Sequence, residues 1–263
     1  MQRLKGPGFD TIPSAREQAH RSAAELAGDA KRWGQQLAQA GVHLTFAPVA
    51  DVVPADRTSS NEPIGKLGRG YGSTPEAVSE RVVAFVGGMK AAGVATSPKH
   101  FPNLGRVTGN TDFVAKVVDE ETTANDPALE PYRRAIAEGV ESVMVATAFY
   151  TKIDPDAPAA FSPKVVGILR DDLRFGGVIV SDDLGVAKAV ASVPASERAT
   201  RFVRAGGDLA ISVDPAVGAR MIEGLASAAE SDPDLAARVT ESAGRVLALK
   251  AARGLTSCEA VVG

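Results

Sequence analysis

One cysteine, three histidines and few aromatic residues are what this chain of 263 residues has least of. The lone cysteine, Cys258, excludes an internal disulfide and leaves the redox compartment open. No run of 18 apolar residues occurs, so no membrane span is expected. Charge of one sign is also lacking. Lys and Arg number 29 against 32 Asp and Glu, a net charge of −3, so nothing steers the chain toward nucleic acid or anionic lipid. Neither GxGxxG nor a P-loop is present, and His and Cys show no metal-ligand spacing, so no cofactor and no metal are expected. The opening MQRLKGPGFDTIPSAREQAH has a short basic start but no apolar core segment, and so carries no export signal as it stands.

A hydrophobic fraction of 44% with 23% charged residues is ordinary globular composition, which argues against disorder and coiled coil. The length allows one large domain or two small ones, and no composition break divides it. Short apolar runs at 42–47, 94–97, 142–146, 177–180 and 208–212 read as buried parallel strands. Amphipathic segments at 17–40, 75–92, 126–138, 163–173, 195–205, 215–229 and 233–253 read as helices. Thr74-Pro75 and Ser162-Pro163 place a hydroxyl before a proline, a helix start, while Gly93, Gly139 and Gly206 mark helix ends that run straight into strands. Parallel strands with helical crossovers leave a doubly wound sheet or a barrel. Two long segments, 48–73 and 101–125, follow strands, which is where such folds build their sites.

Polar groups gather at three predicted strand ends: Asp51, the pair Lys99-His100, and Asp182-Asp183. A carboxylate buried without a partner is very costly, so at least one of Asp182 and Asp183 sits at the mouth of the fold; the other is free to cap the next helix. Lys99 and His100 suit either hydroxyl binding or a structural ion pair, whereas His20 and His43 read as structural.

Four motifs occur in order: Phe46-Ala47-Pro48-Val49-Ala50-Asp51-Val52, Pro63-Ile64-Gly65 with Arg69-Gly70-Tyr71-Gly72, Lys99-His100-Phe101-Pro102, and Gly177-Val178-Ile179-Val180-Ser181-Asp182-Asp183-Leu184. In this the chain resembles glycoside hydrolase family 3, in its β-N-acetylglucosaminidase branch of bacterial enzymes that trim peptidoglycan-derived sugars. The resemblance implies an α/β fold of (β/α)8 TIM-barrel type, with 1–263 as one partial catalytic domain. It implies retaining hydrolysis of terminal β-linked N-acetylhexosamine with Asp182 as nucleophile, and Arg69, Lys99 and His100 holding the sugar's hydroxyls and N-acetyl group. The expected partner is thus a small carbohydrate; the low aromatic content favours a pocket for a terminal sugar over a long stacking platform, and no signal bears on oligomeric state.

Two departures accompany the resemblance. The branch reads K-H-F-P-G-H-G and then D-S-H, whose Asp and His form the acid/base dyad on a mobile loop. Here the stretch is Lys99-His100-Phe101-Pro102-Asn103-Leu104-Gly105, then Asn110-Thr111-Asp112, so Asn110 stands for the Asp and Asp112 for the His. Asp112 is therefore the candidate acid/base, since a carboxylic acid of raised pKa can perform the same transfer. Secondly, the chain begins where the family already has roughly two βα units behind it, an expectation of open strand edges and of a location that is cytoplasmic as it stands, or secreted or lipid-anchored if a leader precedes it. Competing expectations are a sugar-binding relative impaired in turnover, a phosphorylase, and an aldolase with Lys99 as Schiff base.

Overall fold

The computed structural model describes residues 2–256; Cys258 lies outside them. The strands, in chain order, are β1 (Leu44–Thr45), β2 (Ala95–Thr96), β3 (Val118–Asp119), β4 (Ser142–Val145), β5 (Phe149–Tyr150), β6 (Asp154–Pro158), β7 (Val178–Asp183) and β8 (Leu209–Ile211). The helices are α1 (Ala15–Gln18), α2 (Ala23–Gln39), α3 (Pro75–Ala91), α4 (Glu130–Ala137), α5 (Pro163–Gly167), α6 (Ala195–Arg204), α7 (Pro215–Ser231) and α8 (Pro233–Ala252).

All five predicted apolar runs form strands, and they pair in parallel. β1 lies beside β2, while β4, β7 and β8 form a second parallel set. Single bridges, Val49 with Lys99 and Phe101 with Val145, carry the pairing from the first set to the second. The spatial order β1-β2-β4-β7-β8 is therefore the chain order, each strand laid beside the last with a helix in each crossover. Central strands buried on both faces are mostly apolar; all of β4 and the first four residues of β7 are buried, the hydroxyls of Ser142 and Ser181 being paired with Ser97 Oγ (3.1 Å) and the Ile211 N–H (2.9 Å).

Helix starts follow the expected chemistry. Thr74 and Ser162 accept hydrogen bonds from the backbone N–H groups of Ala77 and Val165, three residues on. Gly93 and Gly139, at φ 79° and 83°, end α3 and α4 in the left-handed conformation and turn the chain into β2 and β4.

Three expectations are corrected. The helix expected over 17–40 is two helices, because Ser14 with Glu17 and Ser22 with Glu25 each build a full capping box and the second restarts the chain. The segment 163–173 is α-helical only to Gly167 and continues as a π-helical turn over Ile168–Asp172. A small sheet, β3-β5-β6, was not expected at all. β6 reads Asp-Pro-Asp-Ala-Pro, and proline disfavours a strand except at a sheet edge, the place β6 occupies. This sheet anchors the far end of the 101–125 segment, since Val117 and Asp119 accept backbone bonds from Phe149 and Thr151.

Candidate active site

The chemistry-bearing residues collect at the C-terminal ends of the parallel strands. Backbone bonds fix the frame: Ala50 N–H donates to the Lys99 carbonyl (2.6 Å), Lys99 N–H to that of Pro48 (3.0 Å), and Phe101 N–H to that of Met144 (2.8 Å). Asp51, Lys99 and His100 are thereby held on neighbouring strand extensions. Beneath them Phe101 and Tyr132, both fully buried, meet edge to face with ring centroids 5.1 Å apart.

Asp51 is wholly buried and organises the floor. Its Oδ1 accepts from the backbone N–H of Leu104 (2.6 Å), and its Oδ2 lies 2.8 Å from His100 Nδ1. A carboxylate only accepts, so Nδ1 carries the proton of this pair and the ring turns Nε2 toward the opening. There Nε2 meets Arg69 Nη2 at 3.4 Å and Asp182 Oδ2 at 4.0 Å. Arg69 is itself braced by a bond from Nη1 to the Pro63 carbonyl (2.7 Å). The Lys99 ammonium is pushed down by burial, against the opposing pull of the Asp182, Asp51 and Asp112 carboxylates, with Arg69 adding to the downward push.

The two adjacent aspartates separate by role. Asp183 binds loops: Oδ1 accepts from Gly185 (3.0 Å) and Val213 (3.0 Å), and Oδ2 from Val186 (2.9 Å). Asp182 accepts only the N–H of Asp183 (2.9 Å) among direct hydrogen bonds, and its side chain keeps 25% exposure, which leaves an oxygen open to a ligand. Asp112 stands exposed on the rim, its N–H bonded to Asn110 Oδ1 (2.9 Å). Desolvation at the mouth and then the Asp182 charge raise its pKa above the ordinary aspartate value, while Arg69 and His100 pull the other way. Arg69, His100 and Asp182 are thus brought together at the C-terminal ends of the parallel strands, and Lys99 and Asp112 feel the charges of Arg69 and Asp182 there.

Comparisons with known proteins give the family. The sequence profile of the Glycosyl hydrolase family 3 N terminal domain matches residues 1–249. The chain belongs to glycosyl hydrolase family 3. A beta-hexosaminidase of Methylococcus capsulatus is 34% identical over 90% of this chain and 71% of its own length, and one of Stenotrophomonas maltophilia is 34% identical over 68% and 52%. The crystal structure of beta-N-acetylhexosaminidase from Beutenbergia cavernae superposes with a TM-score of 0.92 at 45% identity, covering 95% of this chain and 74% of that one. A family 3 beta-N-acetylglucosaminidase from Paenibacillus sp. gives 0.84 at 30% identity over 97% and 48%.

Within this family 3 chain, several positioning residues escaped the sequence reading. Asn61, fully buried, donates to the carbonyls of Leu104 (2.8 Å) and Val107 (2.7 Å) and accepts from Ile64 (3.1 Å) and Gly65 (2.7 Å), tying the two long loops together. Asn103 accepts from the Val52 N–H (2.9 Å), so the Asn-Leu stretch that departs from the family motif has a structural task. Arg198 of α6 holds the carbonyls of Leu184 (2.8 Å) and Gly185 (2.7 Å) behind Asp182; a charged residue in the apolar phase of its helix was the available signal. Among the described residues no three His, Cys, Asp or Glu side chains converge as metal ligands, and no helix is long and apolar enough to cross a membrane.

Proposed function

We propose that this chain is a retaining glycoside hydrolase that removes terminal β-linked N-acetylhexosamine from cell-wall-derived or related glycosides. The observation that carries the reading is Asp182: a carboxylate on a rigid strand end, open to a ligand, with His100 facing it at 4.0 Å and Asp183 taking the structural duties beside it. A nucleophile needs that combination of fixed position and free oxygen. The consecutive parallel strands support a (β/α)8-type framework, and the one buried core supports a single catalytic domain.

In the first step an Asp182 oxygen attacks the anomeric carbon while the bond to the leaving oxygen breaks. Asp112, whose pKa desolvation and the Asp182 charge raise, acts from its acid form and donates its proton to that oxygen. In the second step the Asp112 carboxylate takes a proton from water, water attacks the same carbon, and Asp182 leaves as carboxylate. Lys99, Arg69 and His100 Nε2 supply the polar groups for the sugar's hydroxyls and N-acetyl carbonyl. The names of the relatives above support this class over an aldolase at Lys99.

Release of an aryl alcohol from an aryl β-N-acetylglucosaminide tests the proposal. Turnover is expected in phosphate-free buffer and its loss in Asp182→Asn. Sugar binding without turnover would leave a binding protein in place of an enzyme, and a rate that requires phosphate would make it a phosphorylase.

A further inference from the structure

Three loops meet beyond the C-terminal end of β7, and each turns a large apolar side chain to solvent. Phe113 is 78% exposed, Val186 52% and Val213 67%. Hydrogen bonds hold these loops as one unit. The carbonyl of Asp112 accepts the Lys188 N–H (3.3 Å) and that of Thr111 the Ala189 N–H (3.1 Å), which docks the first loop on the second. Asp183 then joins the second loop to the third, with one carboxylate oxygen on Val186 N–H and the other on Val213 N–H. An Asx turn sets the orientation of the first: Asn110 accepts from Asp112 through its side chain and from Phe113 (3.0 Å) and Val114 (2.9 Å) through its carbonyl.

Single exposed apolar side chains are ordinary, but three on separate loops that hydrogen bonds join into one unit make a surface that gains by being covered. The identity of the cover follows from Asp112. A general acid must reach the leaving-group oxygen, so the residue next to it stands on the leaving-group side of the bond that breaks. We infer that Phe113, Val186 and Val213 form an apolar subsite for the leaving group, so that the preferred substrates are N-acetylhexosaminides whose aglycone presents an apolar face, an aryl ring or alkyl chain, at the rim. This rests on the glycosidase reading of the same site.

Hydrolysis-resistant methyl and phenyl 1-thio-β-N-acetylglucosaminides separate the two claims, with affinity measured by calorimetry. The wild-type chain is expected to bind the phenyl compound about tenfold more tightly than the methyl one. That ratio should fall to about twofold or less in Phe113→Ser and drop in Val186→Ser, but persist in Ile222→Ser, which removes an equally exposed apolar side chain from α7. Equal affinities in the wild-type chain, or a ratio that survives both rim substitutions, would overturn the subsite and leave the sugar site standing. Failure of both compounds to bind, with an aryl glycoside left uncleaved, would overturn the glycosidase reading and the subsite with it.

Discussion

Replacing Asp208 by asparagine removes one negative charge from among three arginines. Its side chain is fully buried between β7 and β8, where Oδ2 meets Arg170 (2.7 Å) and Oδ1 meets Arg238 (3.0 Å) and Arg245 (3.1 Å). Oδ2 also accepts the Ile179 N–H (2.8 Å), and the Asp208 N–H returns a bond to the Ile179 carbonyl (2.8 Å). Breaking a buried ion pair by removing one partner costs about 3–5 kcal/mol. The three guanidinium side chains keep 19–23% exposure, and Glu241 continues to pair with Arg238 and Arg245, so the low end applies, about 3 kcal/mol. For a chain of this size each kcal/mol shifts the melting temperature by about 2–4 °C, which predicts a fall of about 6–12 °C. Thermal unfolding followed by circular dichroism, with a urea titration alongside, measures it. Ile179 precedes Asp182 on β7 by about 10 Å of strand, so activity per folded molecule at 25 °C should stay near wild type. A loss below about 1 kcal/mol would refute the claim that this carboxylate neutralises the cluster. Lost activity at unchanged melting temperature would refute its placement away from the chemistry.

Other substitutions address the site itself. Asp112→Asn should slow glycosides with poor leaving groups far more than activated aryl glycosides, and equal losses on both would remove Asp112 as the acid. Because its pKa is raised, the acid form persists above the usual aspartate range; kcat/KM in the wild type should fall as pH rises through that raised pKa, and this limb should vanish in the Asn variant. Asp51→Asn weakens the charge-assisted bond that fixes the His100 ring and should lower kcat/KM roughly ten- to a hundredfold, with its pH profile altered, as steady-state kinetics would show. Gly105→Ala would drive a methyl group into the Val52 carbonyl, at the loop that Asp51 and Asn61 hold down, and should cost about 1–3 kcal/mol in a urea titration.

The parallel scaffold was legible because its physics is local. The central strands β4 and β7 are buried over runs of Val, Ile or Met, and α3, α5 and α7 begin at the hydroxyl or carboxylate caps Thr74, Ser162 and Asp214. The site was legible at its strand ends for the same reason: a carboxylate after Val178-Ile179-Val180-Ser181 has nowhere to go but the mouth. Division of labour between Asp182 and Asp183 was not legible, since it depends on Val213, which reaches Asp183 from the β8 loop thirty residues away. The same holds for Asn61 and Arg198, whose partners lie on other loops. The sheet of β3, β5 and β6 was hidden by its prolines, tolerated because β6 is an edge. Likewise the break within 17–40 lay in plain view as two Ser-x-x-Glu boxes, outweighed by the continuous amphipathic pattern around them.

The central claim is that Asp182 becomes covalently bonded to the sugar. A fluorinated N-acetylglucosaminyl fluoride that forms its glycosyl-enzyme quickly and hydrolyses slowly, followed by peptide mass spectrometry, tests this directly. The account predicts one sugar adduct per chain, located on the Asp182 carboxylate and absent from Asp182→Asn. An adduct on Asp183 or Asp112, or turnover of the substrate by a chain on which no adduct forms, would contradict it.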